Sequence, residues 1–491
     1  MNQKKELIKN TAIIAIGKLS TQVLSFLLLP LYTAKLSTSE YGNYDFLVTV
    51  SVFLLPIITL LMEESMFRFL IDSEDKNSKK RVITQTILYT AVGTVIFTIL
   101  GFLTMWILNI ISNGSSAPLG GDNSVWYLLA KSGHIFIIFV ISNILIGLSN
   151  SLARGLGQIK LYSLSNFILG ASTILLNIFF ILVVKAGCLG LLLANTIANT
   201  LTAIYIFYKL DFATFFSRKA KDTKLMGEMI RYSVPLVPNT LSWIIINLSD
   251  RLIINSCMGS DANGIYSIAN KFPNILYTVY GFFSTAWKES AARIVKEENK
   301  TAYYNSIYHD LRKLLFAVVL CLIAVMPFAF PILVSGDSYN EAYIHIPILV
   351  LATYYTNLSN FYGGIFAAFK NTKIMGNTTI VAAILNIVIN IVLIRYIGLY
   401  AAVLSTFLSN IIIYWYRKRA LKFYIKLKES KKIGAALILA IVALCYYSNN
   451  WIAKVLGLFI AISYSILLNN KLLIIVKNKS IGLLHKNSDA Q

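Results

Sequence analysis

Charge is scarce in this chain. Of its 491 residues only 13% are Asp, Glu, Lys or Arg, against about 25% in a soluble domain. With 57% of residues hydrophobic, almost no polar face remains to solvate, which excludes a water-soluble helical protein. Histidine and cysteine are rarer still, four of each. His134, His309, His345 and His485 are scattered, without the HExxH or paired spacing that a metal site uses. Cys188, Cys257, Cys321 and Cys445 have neither zinc-ligand nor disulfide-framework spacing and read as small apolar residues. No metal or cofactor is expected. A phosphate loop is missing too: Gly17-Lys18-Leu19-Ser20 lies inside an apolar run, with Ala12 where the motif needs its earlier glycine. No long hydrophilic loop separates the apolar runs, so there is no room for a soluble catalytic domain between them. No cleavable signal peptide is expected, because the apolar run after MNQKKELIKN is too long for one.

What is present is a succession of apolar runs, each near the roughly 20 residues that cross a bilayer. They are continuous rather than alternating, which excludes a membrane β-barrel. The pattern predicts an all-α polytopic membrane protein with about fourteen transmembrane helices, at 9–34, 43–64, 82–111, 125–152, 160–184, 189–208, 232–257, 263–287, 308–334, 343–369, 374–396, 399–416, 433–448 and 452–474. Basic residues outnumber acidic ones, 44 to 22. In a soluble chain that excess would suggest nucleic acid. Here it falls on one set of loops, which holds 36 of the 44 basic residues. The positive-inside rule then places both termini in the cytoplasm, and no nucleic-acid partner is expected. The basic run Arg417–Lys432 is expected to lie on the anionic cytoplasmic leaflet, with partner docking as the alternative.

The chain also repeats itself. KLSTSEYGNYDF carries Gly42 and Tyr44; MGSDANGIYSIA carries Gly264 and Tyr266, 222 residues later. A second echo, around Asn177 and Asn390, follows in the same order. Two parallel-repeat lobes of six helices around a central cavity are predicted, related by an axis along the membrane normal, with two further helices appended. The expected division is 1–210 for the N-lobe, 211–231 for a basic linker, 232–421 for the C-lobe, and 422–491 for the last two helices and tail.

Within the apolar runs, charged residues are costly and mark function by default. Lys18 sits about nine residues into the first run, some 13 Å deep at about 1.5 Å per residue. Arg251 and Lys271 lie at similar depths on consecutive helices. Arg68 and Arg154 stand at cytoplasmic ends, and Glu63 and Glu64 cluster near Arg68. Two readings of the Asp250-Arg251…Lys271 hairpin stay open. In one, Asp250 pairs with Lys271 while Arg251 snorkels outward. In the other, Lys18, Arg251 and Lys271 form a cationic cavity wall, guided by Arg68 and Arg154, which selects an anionic substrate such as a phosphate or diphosphate. Asp250, Glu63 and Glu64 would then be structural or coupling carboxylates. Trp287, Tyr446 and Tyr447 read as interfacial aromatics, and Pro30, Pro56, Pro235, Pro238, Pro273, Pro327 and Pro331 as kink sites.

RYSVPLVPNTLSWIIINLSDRLIINSCMGSDANGIYSIANK resembles the seventh–eighth helix signature of polysaccharide-transporter flippases, with its aromatic-x-x-Pro-x-x-Pro start, Asp-Arg pair and Gly-x-Tyr-x-x-Ala. LPLYTAKLSTSEYGNYDFLVT and LMEESMFRFL are similar to that family's first loop and second helix end. These flippases belong to the multidrug, oligosaccharidyl-lipid and polysaccharide exporter superfamily. The resemblance implies a lipid-linked oligosaccharide flippase of a bacterial plasma membrane. It would carry undecaprenyl-diphosphate-linked repeat units outward for surface polysaccharides such as O-antigen. The diphosphate would sit near Lys18, Arg251 and Lys271, with coupling to an H+ or Na+ gradient open. A polysaccharide polymerase and a chain-length regulator are the implied partners. The competing readings are an ion-coupled drug exporter of the same superfamily, a membrane polymerase or ligase, and a scaffold that transports nothing.

Overall fold

The computed structural model describes residues 26–114, 124–217, 220–295, 297–369, 371–427 and 433–488. Among the described residues the chain is helical, without strands. Eight described helices are long and apolar enough to cross a membrane, and Gly434–Tyr447 is a shorter apolar one. The protein is thus an all-α polytopic membrane protein. The helices fall into two compact units.

The first unit spans residues 1–267 and takes in 333–340. Its longer helices are α1 (Leu29–Lys35), α2 (Thr38–Thr59), α3 (Met62–Ile71), α4 (Lys76–Gly114), α5 (Val125–Gly155), α6 (Ile159–Ile178, continued by a π-helical Phe179–Val184), α7 (Gly187–Lys209), α8 (Thr223–Ser233), α9 (Leu236–Met258) and the start of α10 (Ser260–Lys271). Ser37 starts α2 with a reciprocal cap: the Glu40 amide donates to Ser37 Oγ at 3.1 Å and the Ser37 amide to Glu40 Oε2 at 3.0 Å. Leu60 and Leu61, both in the left-handed region, break the expected 43–64 run into α2 and α3. Neither is a glycine, so no turn residue announced the break. Gly259, with φ +85°, separates α9 from α10 as only glycine does without strain. The core of the unit closes on Leu47, Met62, Ile83, Val140, Leu192 and Met229, all fully buried.

The second unit holds residues 268–332 and 341–491. It contains α11 (Pro273–Ile294), α12 (Lys300–Leu333, whose last residue belongs to the first unit), α13 (Glu341–Ala368), α14 (Thr372–Ile397), α15 (Tyr400–Leu421), α16 (Ile433–Tyr447) and α17 (Trp451–Ser488). The last two helices pack on this unit. Tyr446 stacks on Tyr343 with ring centroids 4.2 Å apart, and Asn469, at a kink in α17, donates to the Lys313 carbonyl at 3.4 Å. Two expectations change here. Trp287 is no interfacial aromatic: it is buried, stacked on Phe361 at 4.2 Å, and its Nε1 donates to the Phe361 carbonyl at 3.0 Å. Tyr446 is buried as well. Their aromatic surface fills the space between helices, where it gains more from packing than at the headgroups. Asn177 and Asn390, the second sequence echo, are each fully buried in their own unit.

Candidate functional site

The sequence repeat meets itself in the first unit, where the start of α2 lies against the start of α10. A Cβ on Gly42 would overlap the Ser260 carbonyl oxygen, and a Cβ on Gly264 would overlap the Thr38 carbonyl oxygen. Thr38 and Ser260 are repeat partners, as are Gly42 and Gly264, so the contact is reciprocal. Each helix offers a small residue four positions before its glycine, which lets the two backbones touch. Around this point Asn263 Nδ2 donates to the Gly42 carbonyl at 2.7 Å, Ser260 Oγ to Asn43 Oδ1 at 2.6 Å, and Thr38 Oγ1 to Asp261. Tyr339, from the 333–340 segment, donates to the Ser37 carbonyl at 2.8 Å and ties that loop to the same end.

One helical turn further in lies a charged centre. Arg251 Nε donates to Asp45 Oδ2 at 2.5 Å, with the two side chains only 13% and 16% exposed. The same oxygen accepts from Ser267 Oγ at 2.5 Å. Asp45 and Ser267 are themselves repeat partners, 222 residues apart, so this hydrogen bond falls where the two copies of the motif face each other. Arg251 also donates to the Asn247 carbonyl at 3.2 Å and lies over the Tyr266 ring, 5.9 Å from its centroid. Beside it Asp250 is buried and accepts from the Tyr266 hydroxyl at 2.9 Å.

The structure therefore gives the hairpin charges partners that neither sequence reading supplied. Arg251 does not snorkel; it is held by Asp45 on α2. Asp250 is held by Tyr266. Lys271 is half-buried at the end of α10 and, among the described residues, makes no ion pair. Asp45 was missed, although the repeat carried a signal for it: it follows the Gly-x-Tyr motif at the position that Ser267 occupies in the second copy. Lys18 lies outside the described residues.

At the α3 end of the unit the expected gate residues separate. Arg154 Nη2 is 3.7 Å from Glu64 Oε1, and its guanidinium lies over Phe67 at 4.8 Å and Tyr162 at 5.7 Å. Arg68 instead pairs with Asp72 one turn along at 2.6 Å, with both side chains largely in the open. Glu63 is half-buried. The structure joins Arg154 to Glu64 and leaves Arg68 with a separate, exposed partner.

The second unit holds a different arginine. Arg417 was expected at the head of the basic run on the leaflet surface, yet it is fully buried. Its guanidinium donates to Thr378 Oγ1 and the Ser359 carbonyl at 3.0 Å, to Thr379 Oγ1 at 3.2 Å and to the Met375 carbonyl at 3.3 Å. It fastens α15 to α13 and α14. Counting charge along a run cannot tell which face of a helix a residue takes, and Arg417 takes the inner one.

The sequence profile of the polysaccharide biosynthesis protein family matches residues 7–288, more than half of the chain. The protein belongs to this family. It is 21% identical over 425 residues to an uncharacterized membrane protein of Methanocaldococcus jannaschii, covering 83% of this chain and 96% of that one. Its fold matches that of the lipid II flippase MurJ in an inward closed conformation, with a TM-score of 0.71 at 16% identity over 93% of this chain and 99% of MurJ. It also matches an inward-facing multidrug resistance MATE family transporter of the MOP superfamily, with a TM-score of 0.66 at 14% identity over 84% and 98%. At these identities the likeness shows a shared fold, that of a lipid II flippase and of MATE family transporters.

Proposed function

We propose that this protein flips undecaprenyl-diphosphate-linked oligosaccharide units across the plasma membrane, from the cytoplasmic to the outer leaflet. The observation that carries this reading is Arg251, a largely buried guanidinium held chiefly by one carboxylate, Asp45, from a different helix. A diphosphate, like a carboxylate, offers paired anionic oxygens to a guanidinium and carries more charge, so it competes for the Arg251 fork. Exchange of Asp45 for substrate would loosen α2 from α9 and link binding to a change of state, as alternating access requires. Lys271 and Lys18 would add to the cationic wall, and Arg154 would guide the headgroup inward from the cytoplasm. In this reading residues 1–210 and 232–421 are the two lobes, with 211–231 as linker and 422–491 as the last helices and tail. Both termini are cytoplasmic, and the product feeds a polysaccharide polymerase and a chain-length regulator.

A second reading has its own observation. Two carboxylates flank Arg251: Asp45 pairs with it and Asp250, its neighbour in sequence, is bonded to Tyr266; an Asp45 released from Arg251 would be open to protonation. That suits an H+-coupled exporter of the same superfamily. It also suits H+ coupling of the flippase.

The test is translocation of a fluorescent undecaprenyl-diphosphate oligosaccharide in proteoliposomes, with wild type beside Lys18→Ala, Arg251→Ala and Lys271→Ala. Flipping by wild type and its loss in folded Arg251→Ala is the expected result. A wild type that moves cationic dyes but no lipid-linked glycan, under an imposed gradient, would falsify the flippase reading in favour of the exporter.

A further inference from the structure

A separate feature lies at the far end of α15, on the second unit. A hollow of about 640 Å³ runs beside Ile374, Ile412, Trp415, Arg419 and Phe423. A second of about 370 Å³ adjoins it, between Trp415, Lys418, Arg419 and Lys422. Trp415 and Arg419 line both. The first hollow has the size of a small-molecule site, and its walls are mostly apolar. Three of the four residues that line the second are cationic. The apolar rings face outward: Phe423 is 90% exposed and Trp415 54%. Lys418 Nζ sits 4.4 Å from the Trp415 ring centroid. Among the described residues, neither Arg419 nor Lys422 pairs with a carboxylate. Tyr424 is fixed by Asn371, whose Nδ2 donates to its hydroxyl at 2.5 Å, so one wall is held in place.

An apolar trough opening onto a cluster of cations, flanked by Trp and Tyr at a helix end, has the polarity of a lipid standing in a leaflet. The aromatic rings take the headgroup level, and the basic side chains reach from apolar stems to phosphate depth. We infer that the α15 end is a binding site for an anionic phospholipid, with its phosphate between Arg419 and Lys422 and one acyl chain along Ile374, Ile412 and Phe423. Lys418 supplies the third charge. The bound lipid covers rings that would otherwise face water or loosely packed chains, and it braces α14 against α15 where Arg417 fastens them from within. The inference is independent of what the protein transports.

The probe is phosphatidylglycerol, followed by native mass spectrometry of the full-length protein in mild detergent, with phosphatidylcholine as the neutral comparison. Each surface cation contributes roughly a five-fold preference for an anionic lipid, so the R419A/K422A variant should retain phosphatidylglycerol about 25-fold less well and phosphatidylcholine unchanged. K79A/K80A, on the other unit, should behave as wild type. Circular dichroism of the exposed-site variants checks their fold. Equal retention by wild type and R419A/K422A overturns the site. An equal loss in K79A/K80A overturns it as well, since the effect would then be a diffuse field. Displacement of the lipid by inorganic diphosphate at low concentration, independent of chain length, makes it a soluble-phosphate site and overturns it too.

Discussion

Two arginines inside the helix bundle are held in opposite ways. Arg417 donates to hydroxyl and carbonyl oxygens of two neighbouring helices, within one unit, and is fully buried. Arg251 is held by the carboxylate of Asp45 across the repeat, and a little of each side chain stays open. Backbone carbonyls are fixed by their helices, so the Arg417 contacts form once, when the helices pack, and stay. A carboxylate can be protonated, or replaced by another anion. The nature of the acceptor, more than the depth of the cation, separates an arginine whose partners are fixed from one whose partner can be exchanged.

Removing the fastening arginine has the largest expected effect. Arg417→Ala leaves several acceptors unsatisfied and a void, and it should lower stability by about 3 kcal/mol or more. Arg417→Lys should not restore it, because an ammonium cannot span the four acceptors of the planar fork. Thermal melts in detergent read both; wild-type stability in Arg417→Lys would show the fork to be dispensable.

Asp45→Ala comes next. It strands a partly buried cation, at a cost of about 3 kcal/mol. The double variant with Arg251→Ala should recover much of that loss, since no charge is then left unpaired. Translocation by folded Arg251→Ala should fall about 100-fold, the equivalent of about 3 kcal/mol of lost anion binding, beyond a stability cost similar to that of Asp45→Ala. The same activity loss in Arg417→Lys at normal stability would blur the contrast between the two arginines.

Gly42→Val tests the backbone contact beside Asp45. Its added carbons cannot fit against Ser260, so α2 and α10 should be held apart. A cysteine pair across that contact, in an otherwise cysteine-free background, should cross-link with Gly42 in place and fail to do so in Gly42→Val. At the α3 end the effects shrink. Arg154→Gln should cost about 1 kcal/mol through its Glu64 pair and aromatic contacts. Arg68→Ala should cost less than about 0.5 kcal/mol, as an exposed pair one turn apart usually does.

Much of this was legible beforehand. Apolar run length and charge placement gave the membrane class, and the 222-residue echo pointed to the segments that meet at Gly42 and Gly264. The run before Lys209 forms α7, whose buried face mixes large residues, Leu191, Leu192 and Ile206, with small ones such as Ala194 and Ala198. What stayed hidden depends on distance in the chain or on helix face. Asp45 lies 206 residues from Arg251, and nothing local to either names the other. Arg417 opens a basic run, and its inward face follows from packing against α13 and α14. The Leu60–Leu61 break has no glycine or proline, so only tertiary contacts settle it.

The reciprocal touch of Gly42 on Ser260 and Gly264 on Thr38 has a consequence for how such a chain arises. A contact in which residue i meets j while j's counterpart meets i's is the signature of an isologous interface. A half-length chain carrying one copy of the motif would make this contact twice by pairing with a second copy of itself in the membrane. Joining two such genes end to end keeps the interface and frees each copy to diverge. On that account Asp45 and Ser267 are one ancestral position, seen after it took on two side chains that now bond to each other.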